Sequence, residues 1–141
     1  MQRFLFLACA GNGFLAVALG AFGAHGLKAR LTELPDAARR LGWWQTASDY
    51  HLFHALALGL LALSCAHLPA AWLRRAGVAM LVGIALFSGS LYAMALSGLT
   101  AFGAVTPLGG VGLLLGWVLF GLGALRVELP RGTSTSSTST S

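Results

Sequence analysis

The stretch FLFLACAGNGFLAVALGAFGA, from Phe4 to Ala24, holds no charged residue, and it decides the fold. About twenty apolar residues, rising 1.5 Å each as a helix, cross the roughly 30 Å of a bilayer's hydrocarbon core. Arg3 stands just before the run. A basic residue, an apolar run and small residues near Gly23 also describe a secretory signal, but such a signal's core is about 7 to 15 residues and this run is longer. It reads as a retained span.

Three further apolar blocks follow, over about Ala47 to Leu68, Ala76 to Leu96 and Leu108 to Leu125. Trp43 and Trp44 precede the second where an aromatic belt belongs, and Pro69 stops it. Arg74 and Arg75 separate it from the third, with Trp72 marking an interface. Ser97 to Pro107 contains Gly98, Thr100, Gly103, Thr106 and Pro107, which break helices but add no charge. Residues Leu27 to Gln45 are polar and read as a loop. Within them Pro35 and Asp36 mark a helix start, and the spacing of Ala37, Ala38, Leu41 and Trp44 predicts a short interfacial helix. The expected fold is thus all-α: a compact bundle of four transmembrane helices over residues 1–126, with a short interfacial helix between spans one and two. Residues 127–141 close in a Ser/Thr-rich tract that cannot pack a core and is expected to be disordered.

Composition agrees. Of 141 residues, 57% are hydrophobic and 9% charged, with mean hydropathy +0.78. Soluble domains carry about 25% charged residues, so this chain could not cover a water-facing surface. The net charge of +5 does not point to nucleic acid, because the nine Lys and Arg residues are scattered between apolar blocks as loop anchors. With four spans, Arg3, Arg74, Arg75, Arg126 and Arg131 fall on one side and Lys28, Arg30, Arg39 and Arg40 on the other. Arg74, Arg75 and Arg126 lie directly against span ends, which favours cytoplasmic termini. Cys9 and Cys65 both lie in apolar stretches and form neither a disulfide framework nor a redox motif.

Between spans in lipid there is no hydrophobic force, so small residues and interhelical hydrogen bonds must drive association. Ala8, Asn12, Ala16, Gly20 and Ala24 form a stripe on span one, and Ala85, Gly89, Ala93 and Ser97 form one on span three. Gly109, Gly112 and Gly116 supply GxxxG spacing in span four. These faces serve either packing within one chain or a homodimer.

Few residues could carry chemistry. His51 and His54 share a helix face by their i, i+3 spacing, which lets them meet His25 at one membrane boundary with Asp49 beside them. His25, Asp49 and His54 form the candidate polar boundary cluster; the alternative is a network of hydrogen bonds that only caps and braces the helices. Asn12, Ser88, Ser90 and Tyr92 form a candidate intramembrane polar patch, with Asn12 expected to bond a neighbouring helix. His54 and His67 lie thirteen residues apart, roughly 20 Å along a helix, which suits two stacked haems only if another span supplies partners. No span does. No nucleotide-binding loop, HExxH motif or carboxylate cluster occurs, so no catalytic residue, metal site or cofactor is predicted.

Four blocks together carry a family resemblance: GAFGAHGL at 20–27, Gln45-Thr46-Ala47 with Tyr50 and HALA at 54–57, LFSGSLY at 86–92, and TPLGG at 106–110. They resemble domain-of-unknown-function family 423, small inner-membrane proteins to which the animal transmembrane protein 256 also belongs, over nearly the whole chain up to about Arg126. The resemblance implies a four-span protein of the bacterial inner (plasma) membrane and brings no established activity. It matches His25, His54, Ser88, Ser90, Tyr92, Trp117 and the loop motif Thr106-Pro107 to the family's motifs, with His51 and His67 outside them. The function expected is non-enzymatic: a structural, assembly, or partner- or lipid-binding membrane protein. The alternatives are a haem- or quinone-associated redox protein and a small-solute transporter or channel.

Overall fold

The computed structural model describes residues 1–126, all helix and connecting turns, with no strand among the described residues. The tail expected over residues 127–141 lies outside them. Helix α1 runs Gln2–Leu31, with a π-helical turn at Gly23–Leu27; α2 runs Ala37–Leu63; α3 runs Ala70–Ser97; and α4 runs Thr106–Ala124. Each is long and apolar enough to cross a membrane, α4 together with the short 3₁₀ turn before it.

The helices run past the apolar blocks at several ends, because hydropathy reports where hydrocarbon begins, whereas a helix continues until something breaks its ladder. The separate interfacial helix is therefore corrected: Ala37 to Thr46 form the opening turns of α2 itself. Gly42 within them weakens a helix without ending it. Arg74 and Arg75 likewise lie inside α3 and not in a connecting loop. Real breaks fall at Thr32–Asp36, around Pro69, and at Gly98, whose φ of 74° is the left-handed geometry that favours glycine.

One polar latch ties the α1–α2 turn to the end of α3. Asp36 does not cap α2 but accepts from Arg40 Nε at 3.0 Å and Arg39 Nη2 at 3.1 Å. Arg40 also donates to the Leu96 carbonyl at 3.3 Å. A side chain at Gly98 would collide with that guanidinium. Arg40, and then Arg39, hold the Asp36 carboxyl below its ordinary value of 3.8.

The principal packing runs α1 on α2, α2 on α3 and α3 on α4, so α2 and α3 are the central pair. Leu5, Leu58, Leu61, Leu73 and Met80 are fully buried between them. The α3–α4 contact is the closest, and glycine makes it so. An added Cβ at Gly109 would strike the Phe87 backbone, at Gly112 it would press on Gly83, and at Gly116 on Met80. The GxxxG face of α4 is therefore spent inside the chain. Phe14 and Leu114 are 73% and 68% exposed on the outside of the bundle, a surface suited to lipid tails.

Gly109→Ala should thus cost about 1 to 3 kcal/mol by overpacking, while Gly121→Ala, with open space around it, should be near neutral. Thermal unfolding of the two variants in one detergent checks this. Because folded Asp36 gives up its proton more readily than the unfolded chain, its ion pairs add stability above the ordinary value, and the gain fades as pH falls through the lower folded value. Asp36→Asn should flatten the acid side of the stability profile below about pH 5.

Candidate functional site

Asn12 of α1 faces His51 of α2, and Leu19 faces Trp44, which fixes the antiparallel register of the two helices. Each contact is a hydrogen bond between helices. The Trp44 indole N–H donates to the Leu19 carbonyl at 2.8 Å, and a side chain at Gly23 would occupy the indole's place. The Asn12 amide donates to Ala8 O at 2.8 Å, so its Oδ1 is left to accept from His51 Nε2–H at 3.2 Å. The His51 ring proton therefore sits on Nε2. Its other nitrogen, Nδ1, is a bare acceptor, buried and without a partner.

His51 also lines a cavity. Leu5 seats against Gly77 where α1 meets α3. Further along, α1 and α3 flank an open-sided space of about 220 Å³ over α2, lined by Asn12, His51, Ile84, Ser88, Gly89 and Tyr92 among others. Ser88 is 1% exposed, and its hydroxyl also lacks a partner. Tyr92 donates to Ser48 at 3.3 Å, and its ring stacks obliquely on Trp44 with centroids 4.6 Å apart. Asn12 and Ser88 lie near the middle of the apolar blocks Phe4–Ala24 and Ala76–Leu96, so the cavity is deep within the span. Ala85 and Gly89 are exposed beside it and leave its flank uncovered.

His54 turns the other way, toward α4. Its Nδ1 donates to the Tyr50 carbonyl at 2.8 Å, which leaves Nε2 to accept the Trp117 indole N–H at 3.2 Å. A second cavity of about 320 Å³ adjoins it, walled by Tyr50, Phe87, Leu113 and Trp117. Both of the His54 nitrogens are satisfied. Ser90 donates to the Phe87 carbonyl at 2.9 Å, so the Thr106 hydroxyl donates to Ser90 at 2.8 Å and moors the start of α4, where Pro107 occupies the first turn.

The proposed cluster of His25, Asp49 and His54 is not assembled. His25 is exposed in the π turn, and by the α1–α2 register it lies roughly 24 Å along the axis from His54. Asp49 is exposed and accepts from Gln45 at 2.7 Å. No group of three or more His, Cys, Asp or Glu residues able to hold a metal occurs among the described residues. Of the intramembrane patch, Asn12, Ser88 and Tyr92 share the cavity, whereas Ser90 faces Thr106. His51, expected to share a face with His54 and meet His25, belongs instead to this cavity. Its signal was positional: it continues the buried face Trp44, Ala47, Ser48, Ala55, Leu58, where only a partnered polar group belongs.

These features define a four-span α-helical membrane protein with a polar cavity at mid-depth. Within that class, residues 19–110 match the family described as protein of unknown function DUF423, and the chain belongs to that family. It is 43% identical over 127 residues to the UPF0382 inner membrane protein YgdD of Escherichia coli strain K12, covering 90% of this chain and 93% of that one. It is 41% identical over 127 residues to the UPF0382 membrane protein YwdK of Bacillus subtilis strain 168, covering 89% and 98%. A UPF0382 membrane protein of Staphylococcus saprophyticus is 37% identical over 131 residues, covering 90% and 100%. No solved structure matches.

Trp117→Phe keeps an aromatic ring but strands His54 Nε2, and should lower bundle stability by about 0.5 to 2 kcal/mol. An unchanged melting temperature would mean that the bond contributes nothing.

Proposed function

We propose that the protein is a non-enzymatic component of the bacterial inner (plasma) membrane, with both termini cytoplasmic, that binds the head of an uncharged, hydroxyl-bearing lipid in the cavity between α1 and α3. The observation that supports it is a pair of buried, unpartnered polar atoms, His51 Nδ1 and Ser88 Oγ, on two residues that line the cavity. Leaving each without a partner costs about 1 to 3 kcal/mol. A ligand hydroxyl donates to Nδ1, and an oxygen of the same head accepts from Ser88. Asp, Glu, Lys and Arg are absent from the lining, so a charged head would find no counter-charge at this depth. At about 220 Å³ the cavity is smaller than the roughly 300 to 1,000 Å³ of sites that enclose whole ligands, and the uncovered flank at Ala85 and Gly89 gives a tail its way out to the bilayer.

Catalysis has less support. Ser88 and His51 make no hydrogen bond to each other, so the hydroxyl has no base to activate it. A quinol belongs to the proposed ligand class, whereas haem would find one uncommitted buried imidazole nitrogen among the described residues. The cytoplasmic placement of the termini rests on Arg74, Arg75 and Arg126 near helix ends.

Lipids extracted from the detergent-purified full chain and identified by mass spectrometry test this reading. An uncharged hydroxyl lipid should be enriched over the bulk membrane extract and absent from Gly89→Leu, which fills the open flank. Ser88→Ala should bind it about tenfold more weakly, yet the lipid-free variant should melt no lower than wild type, since its hydroxyl bonds nothing in the chain. Equal lipid in wild type and Gly89→Leu would refute the site, as would a fall in the lipid-free melting temperature of Ser88→Ala. A visible absorption band would favour haem.

A further inference from the structure

A larger depression lies on the α4 side of α3 and differs in character from the polar cavity. It measures about 550 Å³, is floored by Ala79 and Gly112, walled by Val82 and Leu115, and has Arg74 and Arg75 at one end. Small residues make it possible: Gly112 lies against the Gly83 backbone and Ala79, so no long side chain rises from the floor of the groove. Val82 lies eight positions after Arg74, so the groove descends roughly 12 Å from the boundary, most of the roughly 15 Å depth of one leaflet.

We propose that this groove is a binding site for an anionic phospholipid, one acyl chain lying between α3 and α4 and the phosphate resting on Arg74 and Arg75. Charge complementarity selects the occupant. Both arginines are exposed, and the ion pairs of the described residues all fall on Asp36, so no described carboxylate competes with a phosphate here. The guanidinium fork matches phosphate oxygens and is less strongly hydrated than an ammonium. Arg75 lies over the Trp72 ring at 5.8 Å, and an indole at a helix start marks the headgroup level. A zwitterionic headgroup carries its own cation into the same space, so the pair of arginines discriminates against it.

The test titrates the detergent-purified full chain with dioleoylphosphatidylglycerol, dioleoylphosphatidylcholine or inorganic phosphate, and follows thermal stability and lipid retention in native mass spectrometry. Phosphatidylglycerol should stabilise and be retained, phosphatidylcholine and free phosphate much less. In the double variant Arg74→Gln, Arg75→Gln its affinity should fall roughly thirtyfold, with a similar loss of preference for wild type in high salt. Neutralising Lys28 and Arg30, distant in the bundle, should change nothing. Equal stabilisation by phosphatidylcholine, or an anionic preference that survives the double variant or high salt, would overturn the proposal. Stabilisation by inorganic phosphate alone would overturn the lipid assignment. Should the double variant fail to fold, the salt dependence of the wild type decides.

Discussion

Inside hydrocarbon a polar side chain has no water to turn to, and the arrangement of this bundle follows from that constraint. The central helix α2 carries two buried histidines, and each is answered by a different outer helix: His51 by Asn12 of α1, His54 by Trp117 of α4. The outer helices are thereby set on opposite flanks of α2, with register fixed by hydrogen bonds that slippage would break. Model systems place single bonds of this kind at about 0.6 kcal/mol on average, so their value lies more in specifying position than in holding the helices together.

Cohesion comes from close approach. Small residues were expected at the faces where spans meet, and the structure divides them between two uses. Gly109, Gly112 and Gly116 press α4 onto α3, and Ala16 of α1 is likewise buried. On α3, by contrast, Ala85 and Gly89 remain exposed. The same residue types thus seal one seam and leave another open. Periodicity could not distinguish them, because it gives the face of a helix and not which neighbour that face meets.

The four spans were legible because hydropathy measures the very property that hydrocarbon selects. Their ends were less so: Ala37 to Thr46 and Arg74 to Arg75 are helical though polar, since polarity removes a segment from lipid without breaking its backbone ladder. Asn12, Ser88 and Tyr92 were legible as polar residues at span depth and do share a cavity. His25 and Asp49 were misread, because a common membrane boundary inferred from sequence says nothing of rotation about the helix axis or of where α1 ends. His51 was read beside His54, though the 60° between them on a helix is enough to send them to different partners.

The pattern of neighbours also bears on how such a chain assembles. Each principal contact joins helices adjacent in sequence, so every span finds its main partner as soon as it enters the bilayer behind the previous one. The link from His54 to Trp117 is different, since it skips α3 and joins the second span to the last. Until α4 arrives, the buried face of α2 carries an imidazole nitrogen with nothing to accept from. The fourth helix therefore does more than add packing: its indole closes the account that the second helix opened, and so marks the end of assembly.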